Sequence, residues 1–437
     1  MSKRFRQLAI GVPVMRLLHD GVRIRGEGPC ACFRKHRLTV ILLIPALLAA
    51  ALAICGMGFY LYCLWSAHRF QQTSAFPQPA ITPPVSILKP LRGVDPQMYE
   101  SFRSHCLQDY PDYELIFGVS EPTDPAVAAV QQLIREFPDR KIRLLVCPEV
   151  LGNNRKVSNL VQMAALARHG HLLINDSDIF VPTDYLRRIM APFADARVGM
   201  VTCPYRGIAA NTLGSKLESI GISTDFIAGV LVARQLENGI HFALGSTLAM
   251  SRTALDAIGG LRPLVDYLAD DYELGFRIAN AGYEVVLADI VVETHLPAYT
   301  FRGFLDHQMR WARCTRDSRR AGYAGLLFTF GLPWAILSVL LAPFSWWSWA
   351  SLAAAAALRA AVAIKIGIGV VHDRALWRRL WLLPLRDLVA LWIWFASFAS
   401  NKVHWRGEVF LLKNGKITPA YQRLASQINP PQIAGME

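Results

Sequence analysis

The chain has 437 residues, 53% of them hydrophobic, and a formal net charge of +13. This apolar content exceeds that of a typical soluble protein, so we expect part of the chain to lie in a membrane. Basic residues flank the apolar segments: residues 1–37 hold nine Lys and Arg against two acids, and residues 301–320 hold six against two. Residues 38–300 have 20 basic and 25 acidic side chains, so the pattern favours an anionic lipid surface and argues against a nucleic-acid partner.

Four apolar segments are candidates for membrane helices. Residues 38–65 contain no charged side chain and are long enough to cross a hydrocarbon core of about 30 Å. Three more segments follow late in the chain, at residues 324–344, 346–371 and 384–400. We therefore expect a basic N-terminal segment at 1–37, a transmembrane helix at 38–65, a polar domain at 84–320, about three transmembrane helices within 324–400 and a tail at 401–437.

Between residues 84 and 300, short apolar runs alternate with helical patterns, which is typical of a βαβ sheet. The predicted strands are 85–88, 114–119, 142–146, 171–174, 198–202 and 242–250. The predicted helices are 98–107, 125–137, 159–166, 253–258 and 272–281. Residues 212–236 are apolar with few charges, and they either pack on the core or enter the membrane surface.

Acidic residues follow the ends of these strands. Asp176 and Asp178 come after the fourth strand, at the edge where open α/β sheets bind ligands. Two carboxylates one residue apart form a seat for a hard cation that bridges a diphosphate. Asp124 follows the second strand, and Asp270 and Asp271 open the last helix. Such a set suits nucleotide-sugar chemistry, which needs one acid for the nucleoside, a pair for the metal ion and one to accept a proton.

Six motifs together carry a family resemblance. They are residues 85–95 (VSILKPLRGVD), Asp124-Pro125, residues 156–159 (KVSN), residues 176–178 (DSD), residues 268–272 (LADDY) and Arg310-Trp311. On these motifs the chain resembles the ceramide glucosyltransferase family of inverting, membrane-bound glycosyltransferases, and most resembles the bacterial branch that includes the hopanoid-biosynthesis glycosyltransferases. The resemblance runs from residue 84 to about residue 323, with a weaker part at Trp405-Arg406. It implies an α/β fold: a Rossmann-like GT-A catalytic domain with a mostly parallel sheet, and transmembrane helices at both ends.

The resemblance also implies roles for the acidic residues. Asp124 matches the aspartate that contacts the nucleoside. Asp176 and Asp178 match the triplet that binds Mg²⁺ or Mn²⁺, with Asp176 also next to the nucleotide sugar. Asp271 matches the general base. Without the family match, Asp124 before a proline and the pair Asp270-Asp271 are also ordinary residues for the start of a helix.

Four further residues match positions that bind the nucleotide sugar. Arg310 and Trp311 match the end of a Gln/Arg-x-x-Arg-Trp motif, in which His307 stands where Gln or Arg is usual. Lys156 and Asn159 are expected to contact the diphosphate or the sugar, and the alternative for them is a solvated helix face. The alternatives for Arg310 and Trp311 are a contact with lipid phosphate and an anchor at the membrane interface.

The activity implied by the resemblance is transfer of one sugar from a UDP-sugar to a membrane lipid alcohol, with inversion at the anomeric carbon. The expected substrates are a hopanoid polyol with UDP-N-acetylglucosamine, or ceramide with UDP-glucose. A processive polysaccharide synthase shares the core and is the enzymatic alternative, although such enzymes usually have the complete motif that His307 interrupts. A membrane transporter is the non-enzymatic alternative, and the long polar domain argues against it.

The charge pattern and the donor make different predictions for the topology. A nucleotide-sugar donor implies a catalytic domain on the cytoplasmic side of a multi-pass protein in the bacterial inner membrane. Arg374, Arg378 and Arg379 fit the same side. The basic residues at 1–37, however, place the N-terminus on that side too. We therefore expect either that residues 38–65 are re-entrant or that the charge rule is overridden.

Overall fold

The computed structural model describes residues 29–73 and 81–420, with side chains from residue 42 onward. Residues 1–28 of the predicted basic segment and residues 421–437 of the predicted tail lie outside the described residues. The helices are α1 (Pro29–Thr73), α2 (Met98–Cys106), α3 (Ala126–Glu136), α4 (Arg155–Leu166), α5 (Tyr185–Met190), α6 (Leu213–Gly221), α7 (Ile227–Leu236), α8 (Arg252–Ala257), α9 (Asp270–Asn280), α10 (Phe301–Ser318), α11 (Arg320–Gly325), α12 (Gly331–Leu341), α13 (Trp346–Val362) and α14 (Leu383–Ser397).

The strands of the described residues form three sheets. They are β1 (Val85–Leu91), β2 (Tyr113–Val119), β3 (Ile142–Val146), β4 (His171–Ile174), β5 (Ile179–Phe180), β6 (Val198–Thr202), β7 (Tyr205–Ile208), β8 (Leu248–Ser251), β9 (Glu284–Leu287), β10 (Val292–His295), β11 (Lys402–Trp405), β12 (Glu408–Lys413) and β13 (Lys416–Pro419). The central sheet has the order β3-β2-β1-β4-β8-β6-β9, and smaller sheets have the orders β5-β10-β7 and β11-β12-β13.

The central sheet confirms the predicted α/β class. Strands β3, β2, β1 and β4 are parallel to one another, β6 is parallel to β9, and β8 is antiparallel to both of its neighbours. Strand β1 is fully buried apart from one half-buried residue, so apolar helices cover both of its faces. The carboxyl ends of β1, β2 and β4 meet at one edge, where the acidic residues follow.

One predicted strand is wrong over most of its length. Residues 242–250 were expected to be extended, but the strand begins at Leu248. The preceding residues form a tight turn in which the amide of Thr247 donates to the carbonyl of Leu244 at 3.1 Å. The apolar run therefore bends back toward the sheet edge before it enters the sheet.

The apolar segment 212–236 packs on the catalytic domain. It forms α6, a π-helical turn at Ile222–Phe226 and α7. Leu217 and Ile220 of α6 and Leu231 of α7 are almost completely buried. Of the two alternatives for this segment, packing on the core is the one that the structure shows.

The apolar helices near both ends have the length and composition of membrane spans. These are residues Leu42–Thr73, Trp346–Ile368 and Arg374–Ser397, together with a pair, Arg320–Thr329 and Gly331–Leu341, that is bent by 49°. Helix α1 continues through its length without a break. The expectation that residues 38–65 are re-entrant is therefore wrong. The other expectation, that this protein does not follow the rule that basic flanks stay on the cytoplasmic side, stays a prediction.

Part of the predicted tail folds back onto the catalytic domain. The sheet β11-β12-β13 is antiparallel, and its Val403, Phe410 and Ile417 bury an apolar cluster with Leu268. The side-chain amide of Asn153 donates to the carbonyl of Ile417 at 3.0 Å. The chain therefore returns to the catalytic domain after its last apolar helix.

Helices α1 and α12 approach most closely at two glycines. A β-carbon placed on Gly56 would overlap the Cα of Gly331, whereas one placed on the exposed Gly58 would meet nothing within 4 Å. We expect Gly56→Ala to separate the two helices and to cost about 1–3 kcal/mol of stability, because overpacking forces the backbone apart. Thermal unfolding of the purified protein in detergent measures this, with Gly58→Ala as the matched control.

Equal melting temperatures for the two variants would contradict this close approach.

Candidate active site

Strand β4 carries the first pair of acids to the sheet edge. The buried Asn175 follows the strand, and its side-chain amide donates to the carbonyl of Ser246 at 2.7 Å and to the hydroxyl of Tyr185 at 2.9 Å. The buried Lys89 at the end of β1 donates to the carbonyl of Asp176 at 3.1 Å. These contacts fix the backbone, so the side chains that follow are held at the edge.

Asp176 and Asp178 lie in different surroundings. Asp178 Oδ2 accepts a hydrogen bond from the hydroxyl of Thr294 at 2.6 Å. Burial, and then the nearby Asp176, raise the pKa of the Asp178 carboxyl to about 6. The Asp176 side chain is 43% exposed, and its Oδ1 lies 2.8 Å from the Lys156 ammonium. The pair thus holds negative charge that a cation would stabilise.

The donor set fits a divalent ion that is shared with a ligand. Among the described residues, no three His, Cys, Asp or Glu side chains converge on one point. Mg²⁺ is usually bound by one or two carboxylates plus substrate phosphate oxygens, and Asp176 and Asp178 offer that number. Asp95 supports them, because its Oδ2 accepts a hydrogen bond from Ser177, which lies between them.

Lys156 connects this pair with the second pair of acids. Its ammonium lies 2.8 Å from Asp176 Oδ1 and 3.4 Å from Asp270 Oδ2. Lys156 is in the first turn of α4, whose N-cap is the buried Asn154. The Asn154 amide donates to the carbonyl of Tyr267 at 2.8 Å, which ties the start of α4 to the loop before α9. One cation therefore joins the two acidic loops.

Asp271 lies in the first turn of α9, partly exposed beside Asp270. Its Oδ1 accepts a hydrogen bond from the backbone N–H of Tyr272 at 2.8 Å. This oxygen therefore binds a backbone N–H at the start of the helix, as acids in a first turn often do. Its Oδ2 lies over Gly245, where a β-carbon would be only 2.9 Å away. Burial, and then Asp270, raise the pKa of the Asp271 carboxyl to about 6, and Lys156 opposes them. Such a carboxylate is suited to accept a proton near neutral pH.

Helix α10 carries both Arg310 and Trp311. Arg310 has no hydrogen bond or ion pair to any other described residue, and burial lowers the pKa of its guanidinium. The Trp311 ring lies 5.1 Å from the His307 ring and 5.9 Å from the Phe226 ring. Trp311 therefore packs against the catalytic domain, which is not where an anchor in lipid would lie.

His307 is paired with a buried acid. Its Nδ1 lies 2.8 Å from Oε1 of Glu218, which is completely buried on α6. The ring of Tyr299 stacks on the other side of the imidazole at 5.4 Å. The histidine thus has a defined structural partner.

Two predicted residues make their hydrogen bonds with neighbouring loops. Both Asp124 oxygens accept the N–H of Gly93 at 3.0 Å, and Oδ1 also accepts the N–H of Ala126 at 2.9 Å. Asn159 is 4% exposed, and its Oδ1 accepts the hydroxyl of Ser120 at 3.1 Å. These contacts position the loops after β1 and β2, and the expected contacts with the nucleotide sugar stay predictions.

The structure adds residues that sequence reasoning missed. Burial, Asp271 and Glu218 raise the pKa of the Tyr205 phenol, and Asp176 and Asp178 contribute, so this ring lies close to both acidic pairs. The only signal for Tyr205 in the sequence was an aromatic residue after a strand, which is too common to select it.

The C-terminal sheet also reaches the site. Its β11-β12 hairpin carries Arg406, whose guanidinium donates to the carbonyl of Arg92 at 3.2 Å. Arg406 is near enough to lower the pKa of Arg310 further. The weak resemblance at Trp405-Arg406 was the signal for this contact, but it did not indicate where the hairpin folds.

Comparisons with known proteins agree with this geometry. The family model described as glycosyl transferase family 21 matches residues 48–418. Ceramide glucosyltransferase 3 of Caenorhabditis elegans is 24% identical over 403 residues, which cover 84% of this chain and 83% of that protein. Beta-monoglucosyldiacylglycerol synthase of Synechocystis is 26% identical over 175 residues, which cover 40% of this chain and 35% of that protein.

A solved structure shows the same fold. It is the mannosyltransferase PcManGT from Pyrobaculum calidifontis in complex with GDP-Man and Mn²⁺, with a TM-score of 0.51 and 22% identity, covering 81% of this chain and 99% of that one. This likeness confirms the GT-A type of fold. Because the family model matches most of the chain, this protein belongs to glycosyl transferase family 21 and is a membrane-associated glycosyltransferase of the ceramide glucosyltransferase type.

Proposed function

We propose that this protein transfers a single sugar from a UDP-sugar to the hydroxyl group of a membrane lipid, with inversion at the anomeric carbon. The observation that carries the proposal is the contact of Lys156 with both Asp176 and Asp270. This contact joins Asp176 of the proposed diphosphate seat to Asp270, the neighbour of the proposed base, and so supports one donor site between them. The relatives named ceramide glucosyltransferase and beta-monoglucosyldiacylglycerol synthase support a lipid acceptor.

Asp271 is the base in this proposal. A lipid hydroxyl is a poor nucleophile at neutral pH, so its proton must leave as the new bond forms. The Asp271 carboxylate accepts that proton while the hydroxyl oxygen bonds to the anomeric carbon and the bond from that carbon to the diphosphate breaks. General-base catalysis of this kind contributes typically about 10²–10⁴ in rate.

The leaving diphosphate is stabilised by cationic groups. Mg²⁺ or Mn²⁺ bound by Asp176 and Asp178 would neutralise the charge that develops on the diphosphate. The guanidinium of Arg310 makes no hydrogen bond to another described residue, which supports a role in binding the same oxygens. Lys156 holds Asp176 in position and adds a further positive charge.

The site lies next to the apolar helices, as a lipid acceptor requires. Helix α10, which carries Arg310 and Trp311, packs along α14, and α1 and α13 have the composition of membrane spans. Because UDP-sugars are cytoplasmic, we propose a multi-pass protein of the bacterial inner membrane with its catalytic domain on the cytoplasmic side. Its partners are then the donor, the lipid acceptor and the bilayer.

An assay with defined lipids tests the proposal. Purified protein is incubated with radiolabelled UDP-glucose or UDP-N-acetylglucosamine, with ceramide or a hopanoid polyol, and with Mg²⁺, Mn²⁺ or a chelator. We expect a lipid that carries one sugar of inverted configuration, formed only when the metal is present. A polymeric product would instead indicate a processive synthase, and no binding of either donor would contradict the proposed function.

Replacing the base separates chemistry from binding. We expect Asp271→Asn to lower kcat by about 10²–10⁴, since the amide cannot accept the proton, while donor binding is retained. Turnover is measured by product formation, and donor affinity by calorimetry with the same UDP-sugar. Asp256→Asn on the exposed surface of α8 is the matched control and should have unchanged kcat. An active Asp271→Asn enzyme would exclude this residue as the base.

Gly245 tests the position of the same carboxylate. A β-carbon at residue 245 would displace Asp271 Oδ2, and a misplacement of about 1 Å costs about 100-fold in rate. We expect Gly245→Ala to lower kcat with little change in the KM for the donor. Gly229→Ala, at an exposed position of α7 with open space around it, is the control. Equal kcat values for the two variants would contradict the proximity.

The pH dependence of the reaction reports the ionisation of Asp271 together with that of Asp178, whose pKa is also about 6. Asp271 accepts a proton only when ionised, and its pKa is about 6, whereas an ordinary aspartate has a pKa of about 3.9. We therefore expect activity to rise with pH through about 6 and to level off above it. Profiles of kcat/KM across the acid and neutral range measure this. A profile that is already level well below that midpoint would show that the base has an ordinary pKa.

A further inference from the structure

Residues Arg374–Ser397 have the length and composition of a membrane span, but their first end lies against the catalytic domain. Arg206 of β7 donates to the carbonyl of Val371 at 3.1 Å and to that of His372 at 2.6 Å. The hydroxyl of Ser223 donates to Asp373 Oδ2 at 3.1 Å. The chain is therefore on the catalytic domain's side of the membrane when this segment begins.

The segment also ends against the catalytic domain. Arg316 of α10 donates to the carbonyl of Ser397, and the hydroxyl of Tyr323 donates to Ser397 Oγ at 2.9 Å. From residue 402 the chain enters the small C-terminal sheet, which is attached to the domain through Asn153 and Ile417. Both ends of the segment therefore lie on one side.

Between its ends, the segment follows helices of the catalytic domain. Arg379 donates to the hydroxyl of Ser219 on α6 at 3.2 Å, and Arg386 donates to Gln308 Oε1 on α10 at 3.1 Å. Helix α14 thus runs beside α10 from Gln308 to Arg316. A helix that crossed the bilayer would leave the domain along this path.

The helices that do cross are arranged differently. The hydroxyl of Ser338, near the end of α12, donates to the carbonyl of Ala46 at 3.3 Å. At the other end of α1, the amide of Gln71 donates to the carbonyl of Gly369 at 2.7 Å, just after α13. The bent pair of helices that ends in α12 therefore runs away from the catalytic domain, and α13 runs back toward it. With α1, this makes three crossings.

The outer face of the segment is a stripe of apolar side chains. Its exposed members are Trp377, Trp381, Leu385, Leu388, Trp392, Phe395 and Phe398. The members from Leu385 to Phe398 are three or four residues apart, so they share one face of α14. Trp377 and Trp381 precede them in a 3-10 helix at Arg374–Leu382. The opposite face carries the buried Arg386 and Asp387, and the exposed Arg374 and Arg378 lie beside the stripe. Tryptophan with neighbouring arginine is typical of the boundary between lipid headgroups and acyl chains.

We infer that residues 374–397 do not cross the membrane but lie in the lipid interface on the side of the catalytic domain, with the aromatic stripe in the lipid. The occupant of this face is the bilayer itself, because α14 packs against the crossing helix α12 and the exposed Arg374 and Arg378 beside the stripe match lipid phosphate. The described residues then cross the membrane three times, and the N-terminal end of α1 lies on the side opposite the catalytic domain. The inference concerns topology and stands independently of the proposed reaction.

Single cysteines in the full-length protein test the topology. The native cysteines are replaced by alanine, and one cysteine is introduced as Phe344→Cys, Arg378→Cys or Ala399→Cys, all at exposed positions. A maleimide that does not cross membranes is applied to sealed vesicles of known orientation. We expect Arg378→Cys and Ala399→Cys to react from one side and Phe344→Cys from the other. Reaction of Arg378→Cys and Ala399→Cys from opposite sides would overturn the inference.

Depth measurements give a second, independent test. Nitroxide labels are placed on cysteines at Leu385, Leu388, Trp392 and Phe395, and their depth is measured by the power saturation of the spin signal. A crossing helix would separate the first and last label by about 15 Å in depth, given its rise per residue. We expect nearly equal depths close to the headgroups. A steady increase in depth along the four positions would overturn the inference. In the maleimide labelling test described above, Ala375→Cys replaces Arg378→Cys if the Arg378→Cys variant does not fold.

Discussion

The Lys156 ammonium lies between two pairs of carboxylates, and the rest of the site depends on this arrangement. Four acids in a partly buried region repel one another, and one lysine neutralises only part of their charge. Burial, and after it the remaining excess of negative charge, raises the pKa of both Asp178 and Asp271 to about 6. The same excess favours a bound cation on one pair and a proton acceptor on the other. One electrostatic condition therefore prepares both halves of the proposed reaction.

A series of buried polar side chains connects this site with the apolar helices. On α10, His307 and Gln308 contact Glu218, and Gln308 also accepts from Arg386 of α14. Arg359 of α13 in turn pairs with Asp387 at 2.8 Å, next to Arg386. Replacing one charged member of such a buried set by an uncharged residue leaves its partner's charge uncompensated, which is costly in a low-dielectric environment. The contacts therefore set the orientation of the membrane helices relative to the catalytic domain.

Local pattern identified most of the central sheet. Strands β3, β4 and β6 have the predicted bounds, because short apolar runs between turn residues describe short strands well. The grouping of Asp176 with Asp271 also followed from the resemblance. The predicted strand at 242–250 was wrong because an apolar run does not show whether its backbone hydrogen bonds close a turn or join a sheet. The C-terminal sheet was missed because its strands are short and its core forms only against Leu268.

The sequence by itself determined the family, the α/β class and the identity of the acids that carry the proposed chemistry, since these are properties of residue type and spacing. The tertiary structure decided which charges meet. Lys156 is distant along the chain from both Asp176 and Asp270, and only the meeting of α4 with two loops brings it to both. It also decided the path of residues 374–397. Their composition is that of a membrane span. Their contacts with the catalytic domain at both ends are the reason that we infer a position in the lipid interface, and composition does not encode such contacts.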